Sequence, residues 1–290
     1  MIIVAFLLII VSQLVFLSSQ MLRATRSLFK SFTTPSEARA CLLRVMNGHP
    51  DPPSVGLLTA IKLGLFNRVA HGLLWPLSAG YFENIYGDLS VGSIAALRFV
   101  SNAIDQKDKN AIRSCTDNEL GDTLVNAIEM AKEEDDKDGG TISSNFHSIP
   151  ESATISAHSI RLCCWWGAVR GDDVKQVNAV DWFGQKIILE PDEDLRAGYR
   201  QGRSMLFKAL LRGLTVRAEV GLDVMRDVHT LEQHLLDFEM SLIPHPDLAT
   251  DFRPTGTPHA PPPSEVSFET TEWKLVDVNK ILGGNPPLRV

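Results

Sequence analysis

His229 and His234 lie in "HTLEQH" with Glu232 between them, and two histidines beside an acid are raw material for a zinc site. A zinc helix needs its histidines one turn apart, at i and i+4, so that both imidazoles share a face. The step from 229 to 234 misses that, and Glu232 does not complete H-E-x-x-H, so the segment reads as solvated histidines on a polar helix. "GYRQGR" around Gly198 and Gly202 lacks the Lys-Ser/Thr of a phosphate loop, and no G-x-S-x-G elbow is present. The four cysteines (Cys41, Cys115, Cys163, Cys164) show no metal-ligand spacing. Cys163 and Cys164 are neighbours on a predicted strand, so they point to opposite faces and suit reduced thiols in an intracellular protein. "RGDD" at Arg170 reads as a turn and "LEPDEDL" (Glu190 to Asp194) as a solvated loop. No catalytic, cofactor-binding or metal set is expected. Two residues keep an acid–base reading open, Asp181 and His158, each on a predicted strand that could face inward.

The elements that would position such residues fall into two blocks. In the first, Ser90 is an N-cap candidate ahead of Ile94, Leu97, Val100, Ala103 and Ile104, which recur at helical spacing. "DQKDKN" interrupts that helix, and Thr116 to Glu119 reads as a capping box before Leu120, Leu124, Ile128 and Ala131. In the second block, 153–166, 177–189, 205–223 and 272–278 are rich in β-branched and aromatic residues, although 205–214 also fits a helix. Glu133 to Gly140 is an acidic connector between the blocks. Helices first and strands afterwards predict an α+β domain, with helices packed on an antiparallel sheet. With 290 residues and 44% hydrophobic content, one good core or two small ones can be buried.

Met1 to Gln20 carries no charged side chain, like a signal h-region or marginal anchor, but it lacks a basic n-region. Met21 then opens "MLRATRSLFKSFTTPSEARACLLR", with Arg23, Arg26, Lys30 and Arg39 and no acid before Glu37. Those are presequence properties, so residues 1–50 are expected to be a mitochondrial targeting region that starts in effect at Met21. Without the first forty residues Lys+Arg falls from 28 to 24 and Asp+Glu from 35 to 34, moving the net charge from −7 to −10. Direct DNA binding is not expected of so acidic a chain, since phosphate neutralisation needs a basic surface.

Between Pro52 and Phe82 there is no acidic residue. Leu57, Ile61, Leu65, Val69 and Leu73 recur at four-residue steps, interrupted by Lys62, Arg68 and His71 and followed by Trp75 and Pro76. The basic residues and Pro76 argue against a membrane span. Two readings stand: an interfacial amphipathic helix on anionic lipid, or a structural helix on the core. The first makes 51–79 a membrane-contact segment through Leu57, Ile61, Lys62, Leu65, Arg68, Val69 and Trp75. The proline-rich tract 244–263 is expected to be an extended loop before the last strand.

"YFENIYGDLSVGSIAALRFVSNAIDQKDKNAIRSCTDNELGDTLVNAIE" and the closing "FETTEWKLVDVNKIL" resemble the helical opening and terminal strand of the Tim-forty-four-like domain family. The resemblance covers roughly residues 60 to 285 and places the domain at 80–285; the tract 244–263 and Arg170–Gly202 look longer than the family needs. It implies a cone-shaped fold (cystatin-like, or like nuclear transport factors) whose curved sheet and helices enclose an apolar pocket. It also implies a non-enzymatic mitochondrial matrix adaptor, peripheral to the inner membrane. The implied partners are anionic lipid, inner-membrane protein precursors, and the m-AAA protease or the mitoribosome; no cofactor is implied. Two other classes remain open. One is a small isomerase- or hydratase-type enzyme on the same fold, which needs an inward carboxylate of raised pKa. The other is a signal-anchored or secreted protein, if Met1 to Gln20 acts as written.

Overall fold

The computed structural model describes residues 32, 34–48, 57–74, 82–137, 148–169, 179–182, 184–188, 208–226, 230–245 and 268–282, with backbone alone at 57–60, 63, 132–137 and 180–182. The segments 1–31 and 246–267, which hold Met1 to Gln20 and most of the proline tract, lie outside the described residues.

Helix α1 (Pro35–Asn47) is set by local chemistry at both ends. Thr34 accepts from the Glu37 amide and Glu37 reaches back to the Thr34 N–H, a capping box followed by Pro35 at the first helical position. At the far end Gly48 takes φ +87°, where an added Cβ would stand 2.6 Å from the Gln233 carbonyl oxygen. Ala38, Cys41, Leu42, Val45 and Met46, spaced at three and four, all enter the core. Thus α1 lies inside the packed fold, within the stretch assigned above to a targeting region.

Helices α2 (Leu57–Leu74), α3 (Ile85–Asp105), α4 (Lys109–Cys115) and α5 (Asn118–Lys137) follow. The expected hairpin is present with two corrections. Helix α3 begins at Ile85 and not after Ser90, because Ile85 and Leu89 continue the buried face of Leu97, Val100 and Ile104. Burial of that stripe outweighs the local capping tendency of Ser90, whose carbonyl instead accepts from the Ser93 hydroxyl. Before α5 the cap is Asp117, which accepts from the Leu120 N–H; the Thr116 hydroxyl donates backwards to the Ile112 carbonyl. Asp108, accepting from Asn110 and Ala111, starts α4.

The strands are β1 (Thr154–Trp166), β2 (Ala179–Trp182), β3 (Gln185–Ile188), β4 (Leu214–Met225), β5 (Leu231–Pro244), β6 (Phe268–Thr270) and β7 (Lys274–Val278). They form one open sheet in the order β2-β3-β1-β4-β5-β6, with β7 beside β5 on the same flank as β6. Pairing is antiparallel except for β3, which runs parallel to β1 at Trp165 and Trp166. The β2–β3 hairpin turns at Gly184 (φ +77°) and brings its second strand back along β1.

The largest correction concerns β5. Of the segment read as a polar helix with solvated histidines, residues 231–234 open a strand of 14 residues in which His234 is buried, while His229 lies outside the described residues. From Leu236 to Leu242 apolar residues alternate with Asp237, Glu239 and Ser241, a period of two, and pairing with β4 from Leu231 to Leu242 overrides any helical tendency. Of the stretch 205–214, residues 205–207 lie outside the described residues, Lys208–Leu210 make a helical turn and β4 starts at Leu214.

Alternation divides the sheet into two unlike faces. Leu162, Cys164 and Trp166 of β1, Val216, Ala218, Val220 and Leu222 of β4, and Leu236, Phe238 and Met240 of β5 join residues of the helices in one hydrophobic cluster. The other face carries Arg161, Arg217, Glu219, Asp237 and Glu239, and the last four are buried.

Candidate functional site

Helix α2 covers the outer side of β1. Four-residue steps advance 400°, so each turns 40° around an α-helix and the leucine-rich series cannot stay on one face. Ile61 (62% exposed) and Leu65 (53%) point to solvent with Gly64, Arg68 and Gly72. Val69 and Leu73 have turned toward the protein and are half-buried, and Ala70 and Leu74 are fully buried. Lys62 is half-buried with its ammonium 5.3 Å from the Phe66 ring centroid, a cation–π arrangement on the helix itself. His71 stacks on Tyr86 of α3 at 5.7 Å. Of the predicted contact residues, then, Ile61, Leu65 and Arg68 share the exposed face, while Lys62 and Val69 sit at its margin; the side chain of Leu57 and all of Trp75 lie outside the described residues. Among the described residues no helix is long and apolar enough to cross a membrane.

Asn67, on the inner side of α2, is a residue that sequence reasoning missed. Its Nδ2 donates to the Ile160 carbonyl at 2.8 Å, and its Oδ1 accepts from the Leu162 N–H at 2.7 Å. Gln185 does related work one step along, its Oε1 accepting from the Cys164 N–H at 2.9 Å. Side-chain amides therefore satisfy backbone groups on a β1 edge that β3 reaches only at Trp165 and Trp166.

The charged face of the sheet is a second concentration of functional groups. Glu219 and Asp237 stand directly opposite each other on β4 and β5, an unfavourable like-charge pair. Lys280 resolves it, with Nζ 2.7 Å from Glu219 and 3.0 Å from Asp237, while Arg161 binds the other Glu219 oxygen at 2.8 Å. Lys280 arrives through a tight turn in which Asn279 and Lys280 both take positive φ (51° and 59°). Burial pushes the Asp237 carboxyl above its ordinary range, with Glu219 adding to the rise and Lys280 opposing it. Burial also pulls on Lys280, but Asp237 and Glu219 outweigh it and hold the ammonium above its ordinary value. Next along the face, Arg217 pairs with Glu239 and stacks on Trp165, 4.0 Å from its centroid; desolvation lowers the guanidinium to about 10.

The two residues held open for acid–base chemistry do not come together. His158 is exposed at a β-bulge in β1 and lies 3.3 Å from Asp223, and the Asp181 side chain lies outside the described residues. His234 instead belongs to a structural clamp. Its Nδ1 faces the Asn279 amide at 3.2 Å, and that amide also donates to the Arg44 carbonyl and accepts from the Leu235 N–H. Arg226 donates to the Met46 carbonyl, so two sheet-end residues cap the last turn of α1. Cys41, Cys163 and Cys164 are buried thiols, and that of Cys163 donates to the Gly184 carbonyl at 3.3 Å. Burial, helped by Asp277, pushes the Cys41 thiol up to about 12, and desolvation raises Cys164 well above its ordinary value. Such thiols are poor nucleophiles and poor ligands. Among the described residues no three His, Cys, Asp or Glu side chains gather in a metal-binding geometry.

No family model matches the chain, and no curated protein or solved structure is significantly similar to it.

Proposed function

We propose that this protein is a non-enzymatic adaptor, held peripherally on the anionic matrix face of the mitochondrial inner membrane, that assists inner-membrane precursors in import, insertion or maturation. The observation that carries the reading is the solvent-facing side of α2. Ile61 and Leu65 stand exposed beside Arg68 and Lys62, in a stretch free of acids on a chain of net charge −7. Burying two aliphatic side chains contributes about 1.5–3 kcal/mol each, and a basic residue near anionic lipid adds about 1 kcal/mol. The sum, about 5 kcal/mol or more, corresponds to a reversible, submillimolar contact. That suits an adaptor which engages a second partner, with the m-AAA protease and the mitoribosome as candidates. The cone-shaped, pocket-enclosing variant of the α+β fold and the presequence before α1 belong to the same proposal.

Cosedimentation with phosphatidylcholine vesicles containing cardiolipin tests it. Binding is expected to fall with salt and to be lost in Ile61→Ser/Leu65→Ser. Equal binding by that variant, or none by the native chain, would overturn the membrane reading.

A pocket enzyme is the second reading, favoured by one observation: Asp237 is a buried carboxylate of raised pKa. Lys280 holds both Asp237 oxygens, at 3.1 and 3.0 Å, which ties up the group that acid–base chemistry would need free.

A further inference from the structure

The outer edge of β1 is a strand edge under an imitation neighbour. In a parallel ladder, one residue of the neighbouring strand donates to the carbonyl of residue i−1 and accepts from the N–H of residue i+1. Asn67 does this with its side chain, donating to Ile160 and accepting from Leu162, and so stands where a parallel strand would pair with Arg161. Gln185 opens β3, itself parallel to β1, and its amide takes the Cys164 N–H. The two amides thus carry the β3 ladder backwards along β1 in one register. Beyond them, between Thr154 and Ser159, no strand of the described residues lies on this side, while β4 fills the other along the whole length.

We propose that this edge is a docking site for an extended peptide, which adds to β1 parallel to it and in line with β3, and that α2 is the removable cap. A backbone provides the donor and acceptor that Asn67 now supplies, and repeats them toward Thr154, so the exchange loses no hydrogen bond and gains further ones. The cap is held by few fully buried side chains among those described. In α2 these are Ala70 and Leu74, with Leu73 packed partly against the core, whereas α3 buries Ile85, Leu89, Leu97, Val100, Ala103 and Ile104. The incoming strand would set its alternate side chains beside Ile160 and Leu162 on one face, and beside Ser159 and Arg161 on the other. An unfolded precursor segment alternating apolar and polar residues fits both faces. The inference rests on the adaptor reading and supplies its partner-binding element: a membrane that holds Ile61 and Leu65 competes with β1 for α2.

The test uses the full chain and a short fluorescent peptide alternating Val and Thr with a Lys at each end, read by anisotropy without vesicles. Asn67→Leu abolishes both hydrogen bonds and is expected to bind the peptide on the order of tenfold tighter than the native chain. Hydrogen exchange at Leu162 should quicken in the variant and slow again when peptide is added. Asn67→Ala also removes both hydrogen bonds, without added bulk, so it should show a similar gain, and it decides the matter if Asn67→Leu does not fold. Peptide affinity equal to that of the native chain in a folded variant overturns the edge-docking proposal. Vesicle binding is scored separately, so loss of membrane contact with intact peptide binding would sink only the adaptor's membrane reading.

Discussion

The charges on the buried sheet face make a prediction that runs against the usual behaviour of carboxylates. A paired Asp usually has a lowered pKa and stabilises the fold above it. Asp237 is raised by burial and by Glu219, so the folded state holds its proton more tightly than the unfolded chain does. Its contribution to stability therefore falls as pH rises from the ordinary carboxylate range through its folded value. Lys280, raised by Asp237 and Glu219 against the pull of burial, contributes stability that is complete below its unfolded value and lost as pH climbs through its folded one. Lys280→Met leaves two buried carboxylates face to face. It is expected to lose about 3–5 kcal/mol at neutral pH and to regain part of that on acidification, measured by urea unfolding at two pH values. Native-like stability at neutral pH would show that Lys280 does not neutralise the pair. The thiols make a simpler prediction: Cys115, half-buried, should alkylate before the buried Cys41, Cys163 and Cys164 in the folded protein.

Helices α1 and α2 are expected to respond to substitution in opposite ways. The core face of α1 is continuous and both ends are fastened, so Thr34→Ala should cost about 1 kcal/mol through the lost capping box, seen as a lower melting temperature. In α2 the exposed Ile61, Leu65 and Arg68 can be exchanged for Ser or Glu with stability changes within about 0.5 kcal/mol, while vesicle binding falls. Leu74→Ala, at a fully buried site, should instead cost about 2–5 kcal/mol. If stability and vesicle binding fell together in the Ile61 and Leu65 variants, their face would be part of the fold and not a contact surface.

At the scale of the molecule, α1 decides how much of the N-terminal region the fold can lose. Its last carbonyls are held by Arg226, which follows β4, and Asn279, which follows β7, and its apolar face lies in the same cluster as β4 and β5. A chain shortened to begin just before Thr34 should keep a cooperative unfolding transition. One beginning after Asn47 should lose it, because five core residues leave together. If the N-terminal region is removed as a presequence, cleavage must then precede Thr34; a mature N-terminus beyond α1, found by terminal sequencing, would contradict this placement.

Local signals were enough for the helix hairpin, the break at "DQKDKN", the strand at β1 and the α+β class, because helical and strand periodicities are written in neighbouring side chains. They were not enough for β5. Its Asp237 and Glu239 look solvated until Lys280 and Arg217 are brought to them from other parts of the chain. Asn67 was hidden for the same reason, an ordinary polar residue in a helix until tertiary packing sets its amide against the edge of β1. Likewise the spacing of Ile61, Leu65 and Val69 marked one apolar series, and only docking determined that the first two face solvent while the third turns inward. Periodicity is a property of the sequence alone; which charges meet, which edge is capped and which stripe stays exposed depend on contacts between residues distant in the chain.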